Sequence, residues 1–299
     1  MALADGYRSR GGAIGELLDR RRGFLACLSG VAIAGFALSF LSPLSSDAPD
    51  ARPLAQDPWI WDVAGPAPDT VFLAEMTSGE IAAAMRSGVD TVILPAGGLE
   101  QNGPHVVAGK HDLIMRRMAE AIARELGDAL VAPVISFVPQ GGFDPPTGWV
   151  GYPGAVALRP DTYRRMIVDI AESLAISGFA HVILIGDSAG DQRGMARAAR
   201  ELNRRWRGRG AHAHFIAGYY MDEAAGRLLL EEFGIAPEAQ GHIHTDLVSE
   251  SILAALDPKW IRAERRMAGG GLEARGVAFE DARAAAAIRA ARAEAAQGG

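Results

Sequence analysis

Beyond Trp59 the chain alternates short apolar runs with longer amphipathic stretches. The runs are Thr91–Pro95, Leu130–Phe137, His181–Ile185 and His212–Ala217. They are aliphatic or β-branched and bounded by Gly, Pro or Asp, which predicts buried strands. Helices are predicted between them. Thr77-x-x-Glu80 is a capping-box pattern that opens a helix over 79–87, closed by Gly88. Apolar residues at Leu113, Met118, Ile122 and Leu126 predict a second helix, stopped by Gly127. Pro160 with Asp161 beside it suits a first turn and starts a helix that runs to Gly178. A further helix runs from about Arg193 to Trp206. Strands alternating with helices of this length imply βαβ units and an α/β fold with a mainly parallel sheet. In such sheets the working groups collect at the carboxyl ends of the strands. The loops to inspect therefore begin at Pro95, Pro139 and Gly186.

The first 55 residues follow a different pattern. Asp19-Arg20-Arg21-Arg22 precedes an uncharged apolar run from Phe24 to Leu41, and a Pro/Ser/Asp-rich stretch, Ser42 to Pro53, follows. A basic region, an apolar region and a polar exit describe an export signal. Arg21-Arg22-x-Phe24-Leu25 resembles the twin-arginine signal, with Arg20 where that pattern usually has Ser or Thr. A periplasmic or secreted protein is the expectation. The run is also long enough to span a bilayer, so an uncleaved membrane anchor is the alternative. Three regions result: 1–55 as signal and linker, 56–275 as the α/β domain, and 276–299 as an Ala-rich helix or tail.

Composition narrows the chemistry. Among 299 residues, 49% are hydrophobic and 22% charged, a globular balance. The 36 glycines suit a fold with many tight βα turns. A net charge of −6 argues against nucleic acid as a partner, since nucleic acid needs a basic footprint. The one cysteine, Cys27, lies inside the N-terminal apolar run. Removal of that run leaves no thiol, hence no disulfide and no Cys-bound zinc.

The loop after the first strand gathers Glu100, Gln101, Asn102, His105, Lys110, His111 and Asp112 within a short span. Carboxylate and imidazole at such spacing suit a borderline divalent metal such as zinc or manganese. On composition alone, a solvated polar loop is an equal reading. Strand, then Pro95-x-Gly97-x-x-Glu100-Gln101-x-Gly103-Pro104-His105, resembles the creatininase family. Tyr152-Pro153-Gly154-Ala155 is similar to that family's Phe-Pro-Gly-Thr segment. Gly178-Phe179, the strand to Gly186 and Asp187-Ser188-Ala189-Gly190-Asp191-Gln192 are similar to its Gly-Phe strand and Asn-Gly-His-Gly-Gly-Asn loop. The resemblance covers roughly 72–258.

It implies a single-domain three-layer sandwich with a mainly parallel sheet, often assembled as a hexamer. It also implies hydrolysis of an amide C–N bond with one or two divalent metals, zinc foremost and manganese or iron as the others. A small amide or lactam is then the substrate. Of the metal positions, Glu100 is kept. Asn102 replaces a ligand histidine, His111 replaces a ligand aspartate, and Ser188 replaces the histidine of the third motif, with Asp187 and Asp191 flanking it. A neutral imidazole cannot bridge two ions, so the orthodox two-metal centre is not expected. The rebuilt set is Glu100, His111, Asp191 and Asn102 for one metal. His244 would be a proton shuttle, and Asp187 and His105 further acid–base candidates. Trp149, Tyr152 and Ser188 would line the substrate pocket. A pocket kept for binding or assembly alone is the alternative. Plainer roles stay open: Asp187 as a helix cap, His105 as a support, and Trp149 and Tyr152 as core closure. Ser188 lacks the Gly-x-Ser-x-Gly elbow of a nucleophile, and no Lys-Ser/Thr pair follows to make a phosphate loop.

Overall fold

The computed structural model describes residues 67–220, 247–265, 289 and 292–293. The chain divides into two compact units, Met1–Pro58 and Trp59–Gly299, and every described residue belongs to the second. The predicted signal, the segment around His244 and most of the C-terminal stretch therefore lie outside the described residues. Among the described residues run strands β1 (Thr91–Ala96), β2 (Ala129–Val131), β3 (His181–Gly186) and β4 (His212–Phe215). The helices are α1 (Ser78–Arg86), α2 (Lys110–Leu126), α3 (Pro160–Ile176), α4 (Ala189–Arg205), α5 (Ala217–Tyr220) and α6 (Leu247–Leu256).

The strands form one parallel sheet in the order β2-β1-β3-β4. Successive side chains of β1 point to opposite faces, and both faces are apolar because both are covered. Val92 and Leu94 pack against Tyr163 and Ile167 of α3 and Met195 and Leu202 of α4. Ile93 joins Ile183 and Ile185 of β3 against Met115 and Ile122 of α2. Each aliphatic side chain fully buried here contributes roughly 1.5–3 kcal/mol. On its outer side α2 meets α6 through Ile114, Met118, Ile252 and Leu253. The result is helix, sheet, helix, the three-layer α/β architecture.

Three boundaries differ from the sequence pattern. The run expected as a strand over 130–137 leaves the ladder after Val131, since Pro133 carries no N–H to pair. It keeps only isolated bridges at Ile135 and Val138. The run 212–217 stops at Phe215 and turns into α5. The helices α2 and α4 begin earlier than apolar periodicity indicates, because their first turns are polar: Lys110, His111 and Asp112 in one, Asp191 and Gln192 in the other.

From β1 the chain crosses to β2 on one side, and from β3 it crosses to β4 on the other. The sheet order thus reverses between β1 and β3, and the loops leaving their carboxyl ends part to form a crevice. At the opposite end, Arg292 donates to Asp128 and Asp90 at 2.9 Å each, so the C-terminal stretch touches the body at this point. Among the described residues no helix is long and apolar enough to cross a membrane.

Candidate active site

The loop leaving β1 is held at several points before it returns as α2. The Gly97 N–H donates to the Ile135 carbonyl at 3.0 Å, Leu99 N–H to Ser136 at 3.2 Å and Glu100 N–H to Ala108 at 3.2 Å. Asp112, in the first turn of α2, accepts from the Gly98 N–H at 2.9 Å. A Cβ on Gly97 would lie 2.2 Å from that same carboxylate, so glycine is required there. Asn102 braces the loop from within: its Nδ2 donates to the carbonyls of Glu100 and Val107, both at 3.1 Å. Its Oδ1 is buried without a partner.

This bracing delivers Glu100 to His111 of α2. The His111 Nε2 lies 2.6 Å from Glu100 Oε1, and its Nδ1 lies 2.7 Å from Asp187 Oδ2 at the end of β3. Glu100 is 3% exposed and His111 8%, while the Asp187 carboxylate is about a quarter exposed, so the cluster opens on the Asp187 side. Burial pulls the imidazole pKa down, but hydrogen bonds to Asp187 and Glu100 more than reverse this and raise it to about 9. Both ring nitrogens then donate. His111 holds its charge in spite of the positive end of α2 and the buried Lys110 beside it.

The other predicted residues fall around this cluster. Ser188 is the N-cap of α4, and Asp191 completes a capping box with it. The Asp191 carboxylate accepts from the Ser188 N–H at 3.1 Å and from Gln192 Nε2 at 2.5 Å. Complete burial, first, and the charge of Asp187 push its pKa well above the usual carboxylate range. Asp191 is thus committed to the helix end and faces the cluster only through space. Asp187 is not the cap; Ser188 is, which frees Asp187 for His111. His105 stands apart: its Nε2 lies 2.7 Å from Glu250 of α6, a buried link between loop and helix, and its Nδ1 has no partner. The rings of Trp149 and Tyr152 meet at a tilt of 57° with centroids 5.8 Å apart, and Tyr152 is half exposed, so it walls the surface rather than closing the core.

Two residues that the sequence reading passed over belong here. Tyr220 of α5 follows β4, and its phenol pKa is raised by burial and by the charges of Asp187, Asp191 and Glu100, which places it toward the same cluster. Gln140 is 7% exposed and lies between the loops after β1 and β3. Gln140 directly follows Pro139, where one of the loops of interest begins, but an amide there carries no sequence signal; Tyr220 lies beyond β4, whose exit was not among those loops.

A divalent ion can be judged against these donors. Two ions need a bridging carboxylate, and the residue between Glu100 and Asp187 is an imidazole, so a two-ion centre does not fit. For one ion the donor types suit, but the Glu100 oxygen and the His111 Nε2 share a proton at 2.6 Å, so an ion would have to replace that proton, with Asp187 on the other ring nitrogen as outer carboxylates are for metal-bound histidines. Among the described residues no group of three His, Cys, Asp or Glu surrounds one point, and His244 lies outside them.

Comparison with known proteins adds to this geometry. A family model described as creatininase, creatinine amidohydrolase, matches residues 74–298. A 3-dehydro-scyllo-inosose hydrolase of Thermotoga maritima is 26% identical over 40% of this chain and 36% of its own length. The creatinine amidohydrolase of Pseudomonas putida is 29% identical over 39% and 44%. A mycofactocin precursor peptide peptidase of Mycolicibacterium smegmatis is 26% identical over 42% and 50%. The matches thus span half or less of these curated relatives. A crystal structure of creatininase superposes with a TM-score of 0.55 at 21% identity, over 76% of this chain and 97% of the other. Solved forms with this likeness include a zinc form and a manganese form.

Proposed function

The chain belongs to the creatininase family, and we propose that it hydrolyses a C–N bond of a small amide or lactam at the crevice between β1 and β3. The reading rests on the buried Glu100–His111–Asp187 cluster, which joins residues from two separate loops at the switch point of the sheet. The family's hydrolase relatives, and the zinc and manganese forms of creatininase, support a divalent ion as cofactor, with zinc as the first candidate. Glu100 and one nitrogen of His111 would hold it, with His244 as the third ligand or as the proton shuttle. Such an ion polarises a carbonyl and lowers the pKa of a bound water toward neutrality.

The chain's own groups do the rest. Asp187 accepts from Nδ1–H and fixes the ring so that Nε2 faces Glu100. Tyr220 keeps its proton and supplies a neutral donor beside the anions. Asn102 holds the loop and leaves one carbonyl oxygen unmatched in the buried interior. Trp149 and Tyr152 flank the entrance. Export by the N-terminal signal and assembly into an oligomer complete the proposal. N-terminal sequencing of the mature protein and light scattering check them.

The direct test is metal analysis of the full chain after loading with zinc or manganese, beside amine release from a panel of amides and lactams. We expect near one equivalent of metal, reduced in Glu100→Gln and in His111→Asn, and turnover that follows it. Less than about a tenth of an equivalent in the parent sinks the metal-dependent reading. One observation favours a second reading, a non-catalytic binding or assembly protein: both His111 nitrogens are already closed by carboxylates. A metal-free chain with no turnover supports it.

A further inference from the structure

The outer face of α4 carries a charge pattern that the crevice does not use. The buried residues of this helix, Asp191, Met195, Ala198, Ala199 and Leu202, lie along one side. At 3.6 residues per turn, Arg193, Arg197, Arg200 and Arg204 fall on the opposite side, in a single row about 16 Å long. Arg207 and Arg209 extend it into the turn that follows, and all six side chains are exposed. Among the described residues none of the six has a carboxylate partner, whereas Arg164, Arg165 and Arg205 beside them do. Like charges three and four residues apart destabilise a helix. The chain has a net charge of −6, so acids to answer them are not scarce. The helix dipole favours Arg204 in the last turn but none of the three before it. A row kept at that cost, with no acid among the described residues set against it, points to an anion outside the chain.

A second observation narrows the kind. Ile176, the last residue of α3, is 84% exposed, more than any other large hydrophobic side chain described. One turn before it, Glu172 meets Arg205 at 2.8 Å, so Ile176 stands beside the end of α4, where the arginine row finishes. A nucleic acid would meet the guanidiniums with its phosphates and leave the isoleucine in water. The row also carries no exposed aromatic ring on which bases could stack. A bilayer takes both features. Its phosphates accept the planar guanidinium forks, and the acyl boundary just beneath them takes an aliphatic side chain.

We propose that the outer face of α4, with Ile176 at its end, docks on a membrane that contains anionic phospholipid. Glu100, His111 and Asp187 take no part in it. Docking of this kind does not require the apolar run from Phe24 to Leu41, which is itself long enough to span a bilayer.

The test is flotation of the full chain with vesicles of phosphatidylcholine, alone or mixed with about one third phosphatidylglycerol. Each arginine near an anionic surface strengthens binding roughly fivefold, so the row should favour the anionic vesicles by at least about a hundredfold. The preference should collapse between about 0.1 M and about 1 M salt, where screening shortens the reach of charge from ~10 Å to ~3 Å. A protein with Arg193→Gln, Arg197→Gln, Arg200→Gln and Arg204→Gln together should keep a preference of no more than about threefold. Its thermal midpoint should not fall, because the repulsion removed offsets the dipole interaction lost at Arg204. Ile176→Ser should weaken binding to the anionic vesicles by about tenfold. Trypsin cleavage after Arg207 and Arg209 gives a second readout. It should slow on anionic vesicles and not on neutral ones, and this supports docking even where the apolar run carries the chain into both. Equal partition of the parent together with equal cleavage, or an unchanged preference in the fourfold variant, overturns the proposal. So does tighter binding of the parent to single-stranded DNA than to anionic vesicles, or a parent oligomer that the fourfold variant breaks, since the row would then face nucleic acid or a second copy.

Discussion

The metal-free protein should lose stability as pH rises from 6.5 to above 9, and His111 should be the cause. Its folded-state pKa is raised to about 9 from an ordinary 6.5, because Asp187 and Glu100 outweigh the burial that opposes them. The folded state therefore binds the proton more tightly than the unfolded one. The resulting stability is fully present below 6.5 and is lost as pH passes through 9. About 2.5 pH units at 1.36 kcal/mol each amount to roughly 3 kcal/mol, a large share of the 5–15 kcal/mol typical of a folded domain. Because lysines and tyrosines also titrate toward pH 10, the useful quantity is a difference. Urea unfolding of chelator-treated parent and His111→Gln, at intervals from pH 6 to 10, gives it. The glutamine variant should be the less stable by a margin that shrinks by roughly 3 kcal/mol across that range. Asp187→Asn should shift the shrinkage to lower pH, since one carboxylate is gone. A margin that stays constant from pH 6.5 to 9.5 refutes a charged His111 between two carboxylates.

Other perturbations test separate parts of the structure. Ser188→Ala removes the α4 cap and should cost about 1 kcal/mol, read as a fall of about 2–4 °C in thermal midpoint. Gly190→Ala would drive a methyl into the Pro139 carbonyl and should cost about 3 kcal/mol or more by urea unfolding; a neutral result would mean that the two loops do not pack this closely. His214 meets His181 at 3.0 Å, and burial, then His181 and His212, lower its pKa to about 4. Stability should therefore fall as pH drops from 6.5 toward 4, and His214→Gln should flatten that fall.

The sheet was legible because covered parallel strands are apolar on both faces, and Val92 to Leu94 and Val182 to Ile185 have no other reading. Order in the helices was legible where periodicity carried it and failed where the first turn was polar. Lys110, His111 and Asp112 look like loop in sequence, yet Asp112 captures the Gly98 N–H and His111 faces the crevice. That Glu100 and His111 meet was readable from their shared loop. That Asp187 is the second carboxylate was not, because the neighbouring Ser188 and Asp191 offer the same capping chemistry and sequence cannot say which of the two acids meets His111. Gln140 gave no signal at all: an amide declares itself only when the fold is seen to leave it unmatched.

Three carboxylates surround one imidazolium in this crevice, two by hydrogen bond and Asp191 through space. Glu100 and Asp187 each hold a ring N–H of His111. Asp191 has no such partner, is completely buried, and feels Asp187 as a like charge, so it is the acid whose pKa rises well above the ordinary value. A raised carboxyl pKa means stability that is fully present below the ordinary value and lost as pH climbs through the raised one. Asp191→Asn, which keeps the acceptor for the Ser188 N–H and can form no charge, should therefore cost less than about 1 kcal/mol near neutrality and gain on the parent as pH rises further. Asp191→Leu has the same branching but bulkier methyls and no acceptor, and should cost more at every pH, by the cap and by overpacking together. The measurement is urea unfolding of the three proteins between pH 5 and 9. If the asparagine variant instead loses roughly 3–5 kcal/mol near neutrality, as the removal of one partner from a buried ion pair does, then Asp191 is an ionised member of the cluster. The division of labour between capping acid and site acids would then fall.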